Sequence, residues 1–246
     1  MTLLALLAIV LAFPSAAQNK KWFAIHEDLV IPSQDTRYTE ALKNLKAACS
    51  THKLNVGWVT VRHDDNSYIH LMPISSFAQL DKDMFEPLKN NVGEAEFGKL
   101  MSGFDGCYNT HSDFIVEEMT DHSYMTIPEG ENYRDVFFWT VATGKEMEGE
   151  KLLAEWKKLY ETKKSPDGYL CYKVVFGRAP GFAIVSWGKD QVDAATKNKK
   201  SMELIGKDAD DLLKRTMAIT TQFSSKRAWV LPDYSYTPPA GTVTKK

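Results

Sequence analysis

Three short segments of this sequence carry aromatic and polar side chains at alternate positions. They begin at Trp22, Trp58 and Tyr68, and their β-branched and aromatic residues are typical of β-strands. Because side chains alternate between the two faces of a strand, residues of one parity share a face of the sheet. That face is expected to carry Trp22, His26, Asp28, Trp58, Arg62, Tyr68 and His70. An aromatic wall with a few polar groups is typical of a small-molecule pocket, so we predict that these residues bind a ligand.

Two of these side chains could also do acid–base chemistry. Imidazole changes its charge near neutral pH, which makes His26 and His70 the candidate catalytic residues. The alternative is that the aromatic side chains only fill the core and that both histidines are hydrogen-bonded parts of the structure. No Walker, Rossmann, His-Glu-x-x-His or Gly-x-Ser-x-Gly motif occurs. The acidic residues near Asp64 and Glu117 are interpreted as solvated turns and linker, so no metal site is expected.

The elements that position these residues are predicted to occur twice, in the order strand, helix, strand, strand, helix, strand. The first series starts at Trp22 and the second at Val136. The amphipathic stripe from Tyr38 to Cys49 has a counterpart from Leu152 to Tyr160, and a hairpin follows each helix. We therefore predict a duplication; the alternative is two unrelated α+β domains. The predicted organisation is a first repeat at 18–116, a linker at 117–134, a second repeat at 135–231 and a disordered tail at 232–246.

The matching face of the second repeat is less polar than that of the first. It is expected to carry Val136, Phe138, Thr140, Tyr169, Cys171, Lys173, Phe182, Ile184 and Ser186. In this alignment Thr140 stands where His26 stands, and Ile184 where His70 stands. All 6 histidines of the chain precede residue 123. Any chemical site is therefore expected in the first repeat.

The first residues of the chain indicate a compartment. An apolar run at 3–13 is too short to span a bilayer, and Pro14 and the small residues 15–17 follow it, which is typical of a signal peptide. We predict signal residues 1–17 and a periplasmic or secreted protein with no later membrane span, although Met1 and Thr2 carry no positive charge. The alternative is a buried N-terminal helix. Cys49, Cys107 and Cys171 allow at most one disulfide, and the sequence leaves open whether any two pair.

Composition excludes several classes of protein. A hydrophobic fraction of 43% and a charged fraction of 25% are typical of a globular chain and not of a disordered or fibrous one. The net charge of -2 gives no general attraction for nucleic acid, so no nucleic-acid partner is expected.

A strand–helix–strand–strand–helix–strand unit is a ferredoxin-like fold, and two such units can cover each other's sheets. In this order of elements, over about residues 22–231, the chain resembles the dimeric α/β-barrel superfamily. The resemblance implies an α+β protein in which two tandem ferredoxin-like repeats form a pseudo-dimeric α/β barrel with antiparallel sheets. The apolar parity of each strand would then pack beneath the helices, and the polar parity would face the barrel interior. The chain would be a monomer with an internal pseudo-dimer, or a further homodimer.

The superfamily includes cofactor-free antibiotic-biosynthesis monooxygenases, haem-degrading monooxygenases, chlorite-dismutase-like haem proteins and NIPSNAP-type proteins. The leading hypothesis is an exported protein that binds a small apolar or aromatic ligand in the barrel cavity. The alternatives are a barrel monooxygenase or haem-linked oxidoreductase, and a structural or interaction module with no ligand. No cofactor is expected: chlorite-dismutase-like proteins hold haem through a histidine of their C-terminal unit, which this chain lacks. Haem could bind only through the first repeat, with His52 or His111 at a helix end as possible axial ligands.

Overall fold

The computed structural model of the protein describes residues 20–239. The first half of the chain comprises β1 (Lys21–Val30), α1 (Asp35–Thr51), β2 (Val59–His63), β3 (Ser67–Ile74), α2 (Glu86–Val92), α3 (Glu94–Ser102) and β4 (Tyr108–Glu118). The second half comprises β5 (Tyr133–Val141), α4 (Glu146–Lys163), β6 (Tyr169–Phe176), β7 (Gly181–Gly188), α5 (Gln191–Ile205), α6 (Asp210–Ala218) and β8 (Thr220–Val230). The predicted order of elements is therefore present in both halves.

The eight strands close into one antiparallel barrel in the order β1-β3-β2-β8-β5-β7-β6-β4. Within this ring each half contributes a four-stranded sheet with its first strand in the centre: β4-β1-β3-β2 and β8-β5-β7-β6. Pairing of β2 with β8 and of β4 with β6 joins the two sheets. Closure leaves neither sheet with a free edge, which is how barrels avoid edge-to-edge association. The predicted α+β fold with a pseudo-dimeric antiparallel barrel is confirmed.

The helices lie outside the barrel because each has one apolar stripe to bury. On α1 the buried positions are Tyr38, Ala41, Leu42, Leu45 and Cys49. On α4 the buried leucines Leu152 and Leu153 form a core with Trp139 of β5 and Phe182 of β7. Each helix layer thus covers the outer face of the sheet of its own half.

The barrel interior is filled by the apolar parity of the strands. Ile25, Ile69, Phe114 and Val116 form a core to which no helix contributes. At one end of this interior, Lys226 of β8 lies 3.5 Å from Glu27 of β1, although β3 and β2 separate these strands in the ring. Such a contact crosses the barrel, so the odd-numbered positions of β1 face inward.

The predicted direction of the two faces is therefore wrong. The residues grouped with His26 and His70 do share one face of the first sheet, but that face lies beneath α1 and α3 and not inside the barrel. In the second half the predicted face is divided. Val136, Phe138 and Thr140 belong to the inward parity, as the contact of Phe138 with His63 indicates, whereas Tyr169, Cys171 and Phe182 pack beneath α4. Alternation along a strand shows which residues share a face of the sheet. Only the way in which the helices cross the sheet decides which of the two faces they cover.

The disordered tail predicted from Pro232 is wrong for residues 232–239. A short 3-10 helix spans Pro232–Tyr234, and Tyr236 forms an isolated β-bridge with Trp58. The Tyr236 side chain is 4% exposed and packs in the core with Leu45 and Leu54. Buried aromatic surface and backbone hydrogen bonds to β2 hold this segment against the first half.

The predictions for the signal segment, the membrane span, the cysteines and the linker are compared with the structure one by one. The predicted signal segment lies outside the described residues. Among residues 20–239 no helix is long and apolar enough to cross a membrane. Cys49, Cys107 and Cys171 are all buried and free, so none of them pairs with another. The predicted linker is partly strand, because β4 continues to Glu118 and β5 begins at Tyr133.

Candidate functional site

A cavity of about 630 Å³ lies between the first-half sheet and its helices. Even-numbered residues of β1 and β3 form much of its sheet wall, with further contributions from β4 and from Phe176 of β6. Its helix wall includes the apolar faces of α1 and α3. Most of the lining is apolar, with Leu42, Leu45, Met72, Phe85, Met101 and Phe104 among the residues that form it. The polar groups that line it are carried by His26, Asp28, Tyr38, His70, Asp105, Tyr108 and Asp113. The volume lies within the usual range of small-molecule pockets.

The polar side chains of this wall form one network across strands and helix. His26 Nδ1 lies 2.8 Å from Asp113 Oδ1, and His26 Nε2 lies 3.1 Å from Asp28 Oδ1. The Tyr38 hydroxyl donates to Asp28 Oδ2 at 2.7 Å and lies 2.9 Å from His70 Nε2. Since that hydroxyl has one proton, His70 Nε2 donates to the Tyr38 oxygen when Tyr38 donates to Asp28. His70 Nδ1 lies 3.1 Å from Thr60 Oγ1.

Strand register explains why these residues meet. His26 lies opposite His70 on β3 and opposite Asp113 on β4, while Asp28 lies beside Tyr68 and His111. Directly opposed side chains lie about 5 Å apart on a sheet, close enough for hydrogen bonding. Tyr38 reaches them because it occupies the first turns of α1, on the stripe that packs against the sheet.

Burial and charge give the two histidines opposite protonation states. Burial alone would lower the pKa of His26, but the hydrogen bonds and charges of Asp28 and Asp113 outweigh it and raise that pKa to about 9. Burial, together with the positive charge of His26, lowers the pKa of His70 to about 4, although Asp28 opposes this. Near neutral pH the site therefore holds a charged His26 beside a neutral His70.

Asp28 is the buried centre of this network. It is 3% exposed, and its Oδ1 oxygen has no donor besides His26 Nε2 among residues 20–239. Burial would raise the pKa of Asp28, but the hydrogen bond and charge of His26 and the Tyr38 hydroxyl keep it lowered. A buried carboxylate without its full set of donors is costly, and such groups occur at functional sites more often than elsewhere.

Four of the seven predicted ligand residues line the cavity, namely His26, Asp28, Trp58 and His70. The others do not. Trp22 packs against Phe77 and donates to Glu117 at 3.4 Å. Arg62 donates to Asn66 and lies over the Tyr68 ring, while Tyr68 is buried and donates to Asp35. These three residues stabilise the sheet and its turns around the cavity.

Three residues of the network were not predicted. Tyr38 was assigned to the helix core, Thr60 to the strand pattern only, and Asp113 to no element. A tyrosine in a stripe of Ala and Leu is the one visible signal, since a buried phenol needs a hydrogen-bond partner. Asp113 is recognised only once β4 is known to begin at Tyr108.

A second cavity, of about 320 Å³, lies between the second-half sheet and its helices. Register shows which of its residues correspond to the polar network. Asp28 of β1 pairs with Tyr68 of β3, and Trp139 of β5 pairs with Phe182 of β7. Because Phe182 corresponds to Tyr68 in the two halves, Trp139 occupies the position of Asp28. By the same register the residue that replaces His26 is Phe137, which corrects the predicted Thr140, and Ile184 replaces His70. The predicted offset fails because the segment between the first and third strands is longer in the second half.

The same alignment places Gly149 of α4 where α1 has Tyr38. A Cβ atom on Gly149 would lie 2.7 Å from Phe182 Cε2 and 3.5 Å from Trp139 Cη2. The contact with Phe182 is closer than real Cβ atoms show, so the core between α4 and its sheet is built around the missing side chain. The residues that correspond to the polar network are therefore apolar in the second half.

The ring nitrogens of the first-cavity histidines are not free to ligate haem iron. Both ring nitrogens of His70 are engaged by Tyr38 and Thr60, and both of His26 by carboxylates. His111 lies in β4 and not at a helix end as predicted, and His52 directly follows α1, outside both cavity walls. Over residues 20–239 no group of three His, Cys, Asp or Glu side chains is placed to hold a metal ion.

Solved structures share this architecture. The chain is similar to an anthrone oxidase-like protein, with a TM-score of 0.58 and 14% identity over 87% of this chain and 92% of that one. It is similar to a candidate monooxygenase from Lactobacillus acidophilus NCFM, with a TM-score of 0.55 and 9% identity over 89% and 97% of the two chains. A chlorite dismutase from Candidatus Nitrospira defluvii matches with a TM-score of 0.51 and 6% identity, over 87% and 92%.

These similarities establish the α+β barrel fold and no more, because identity is too low to transfer residue roles. No protein-family model matches the chain. No curated protein matches it by sequence either. The function therefore has to be argued from the cavity itself.

Proposed function

We propose that the first half of the protein binds a small aromatic ligand that carries a hydroxyl group. The aromatic body would lie between α1, α3 and the sheet, and the hydroxyl would lie beside His26. The observation that carries this proposal is a charged histidine–carboxylate cluster on the wall of an otherwise apolar cavity.

The apolar walls select the body of the ligand. Phe85, Phe104 and Trp58 offer aromatic faces, and Met72, Met84 and Met101 offer polarisable side chains that adapt to irregular shapes. Such walls gain from the burial of rings and alkyl groups and offer no partner to a highly charged ligand.

The polar cluster selects the functional group. A ligand hydroxyl or phenolate could accept a hydrogen bond from His26 Nδ1 in place of the exposed carboxylate of Asp113. His26 is 33% exposed and its partner Asp113 is 70% exposed, so this end of the network is open to an incoming group.

Paired fluorescent ligands test the proposal: 2-naphthol carries the hydroxyl, and 2-methoxynaphthalene is its matched ether. The protein is expected to bind 2-naphthol about tenfold more tightly, since a hydrogen bond to a charged group contributes roughly 1.5–3 kcal/mol. His26→Phe, which installs the second-half residue, should abolish this preference while keeping the affinity for the ether. Met101→Trp, which fills the first cavity, should abolish the preference for 2-naphthol. Equal binding of the two ligands to the unaltered protein would refute the role given to the cluster.

A second candidate function is oxidation of such a ligand by dioxygen without a metal. Proteins of this fold include an anthrone oxidase-like protein and a candidate monooxygenase, and a charged His26 would stabilise the enolate of anthrone. The reaction balances as anthrone plus dioxygen giving anthraquinone plus water. Oxygen uptake with anthrone should then exceed that of the His26→Phe variant; an equal rate for both proteins would leave binding as the only supported activity.

A further inference from the structure

The second cavity is lined by aromatic side chains from both sheet and helices. Phe137, Trp139 and Ile184 form the sheet wall, and Trp156 and Tyr160 of α4 face them. Phe223 of β8 stacks on Phe137 with ring centroids 5.9 Å apart. Six-membered and fused rings are therefore the shapes that this cavity matches best.

The indole N–H groups that border the cavity are paired within its wall, whereas the buried Tyr169 hydroxyl has no hydrogen-bond partner among the described residues. Trp139 Nε1 donates to Thr220 Oγ1 at 2.7 Å, and Trp156 Nε1 donates to Thr216 Oγ1 at 3.0 Å. No charged side chain is among the described residues that line it. A charged ligand would lose its hydration there without gaining a partner, so the cavity excludes ions and accepts uncharged molecules.

The cavity is open at the surface, and its rim is apolar. Phe223 is 56% exposed, and Leu213 and Met217 of α6 are each about half exposed. Large apolar side chains that remain exposed around a cavity are typical of binding sites and not of a closed core. Interiors otherwise pack with few voids larger than a water molecule.

We infer that the second half holds an independent binding site for a small uncharged aromatic molecule. This site does not depend on the function proposed for the first half, because the two cavities share no residue. Its ligand differs from that of the first cavity in needing no hydroxyl or ionisable group. One chain would thus carry two sites with different chemical selectivity.

Two probes that differ by one charged group test the inference. N-phenyl-1-naphthylamine is uncharged and fluoresces in apolar sites, and 1-anilinonaphthalene-8-sulfonate is the same molecule with a sulfonate. Titrations use the full chain with Met101→Trp, which fills the first cavity. The uncharged probe is expected to bind at one site per chain, at least tenfold more tightly than the sulfonate.

Met217→Trp is the substitution that should fill the second cavity, as Met101→Trp fills the first. The two methionines correspond, since they are the penultimate residues of α6 and α3. Adding Met217→Trp to Met101→Trp should remove the remaining site, and on its own it should leave the preference for 2-naphthol over 2-methoxynaphthalene intact. Leu213→Trp repeats the test if near-ultraviolet circular dichroism shows that Met217→Trp is misfolded. Unchanged binding in both second-half variants, or equal affinity for the two probes, would overturn the inference. Loss of 2-naphthol binding alone would refute only the first-half proposal.

Discussion

In the first half of the chain α1 directs Tyr38 at the sheet, whereas in the second half α4 has Gly149 at the corresponding place. Around Tyr38 lie His26, Asp28 and His70 in one hydrogen-bonded network. In the second half the corresponding residues are apolar, namely Phe137, Trp139 and Ile184, and of these Trp139 lies beside Gly149. The comparison teaches that the same strand order and helix crossovers support either a charged or an uncharged cavity. The proposed selectivity depends on the few side chains that line each cavity and not on the fold.

The largest effect is expected from pH. His70 has a pKa of about 4 when folded and about 6.5 when unfolded, so the unfolded chain takes up a proton first as pH falls. The stability that neutral His70 contributes is complete above pH 6.5 and is lost between pH 6.5 and 4, on the order of 3 kcal/mol. His70→Ile, which installs the second-half residue, should reduce this acid loss by that amount in urea unfolding.

His63 serves as the internal control for that experiment. Its pKa is also lowered to about 4, first by burial and then by Lys226, and it is present in both proteins, so part of the acid loss should remain. The opposite sign holds for His26: its raised pKa contributes stability that is present below pH 6.5 and lost as pH rises through about 9. If the variant and the unaltered protein lose the same free energy of unfolding between pH 6.5 and 4, His70 is not the group responsible for that loss.

The next effect separates the two carboxylates that flank His26. Asp28→Asn leaves a partly buried imidazolium without its buried partner and should lower the free energy of unfolding by roughly 2 kcal/mol. Asp113→Asn removes an exposed partner and should cost less than about 1 kcal/mol. NMR titration should show that the pKa of His26 falls much further in Asp28→Asn than in Asp113→Asn. Equal shifts in the two variants would show that both carboxylates contribute equally to the pKa of His26.

Gly149→Ala tests whether the second half is built around a missing side chain. The new methyl group would press on Phe182 and Trp139, so we expect a loss of about 1–2 kcal/mol and weaker binding of N-phenyl-1-naphthylamine. Gly98→Ala in α3 is the control. Its Cβ atom meets no atom within 4 Å, and alanine should stabilise that helix by up to about 1 kcal/mol. If both substitutions stabilise the protein, Phe182 moves aside without cost and the prediction for Gly149 is wrong.

The smallest effect concerns residues 232–239, which pack on the first half. The Tyr236 hydroxyl lies 3.1 Å from the Cys49 carbonyl oxygen and 3.0 Å from that of Leu54. Tyr236→Phe should therefore cost about 1 kcal/mol and increase hydrogen exchange at the end of α1. Tyr124→Phe removes a comparable hydroxyl in the second half and should leave exchange in α1 unchanged. Equal exchange in the two variants would show that the segment does not support α1.

Much of the fold could be predicted because it depends on local pattern. The spacing of apolar residues around Leu42 and Leu153 indicates the helices, and alternation around Val61 and Ile184 indicates the strands. The duplicated order then restricts the architecture to a paired-sheet arrangement. Strand limits were less predictable: Asp113 was missed since the polar residues at the start of β4 show no apolar alternation.

The site could be predicted only in part. His26, Asp28, Trp58 and His70 were grouped by parity alone, because alternation along a strand is a local property. Tyr38 could not be joined to them, since its contact with Asp28 exists only when α1 crosses back over the sheet. The order of Pro232 and its neighbours depends in the same way on a contact with β2, far away in sequence.

By itself the amino-acid sequence determined the repeated order of elements, the grouping of residues on each face and the restriction of histidine to the first half. Only the tertiary structure decided that this face lies under the helices, that two carboxylates hold His26 charged, and that burial holds His70 neutral. The reason is physical. Periodicity follows from backbone geometry within one element, whereas burial and pKa depend on which distant elements exclude water from a group.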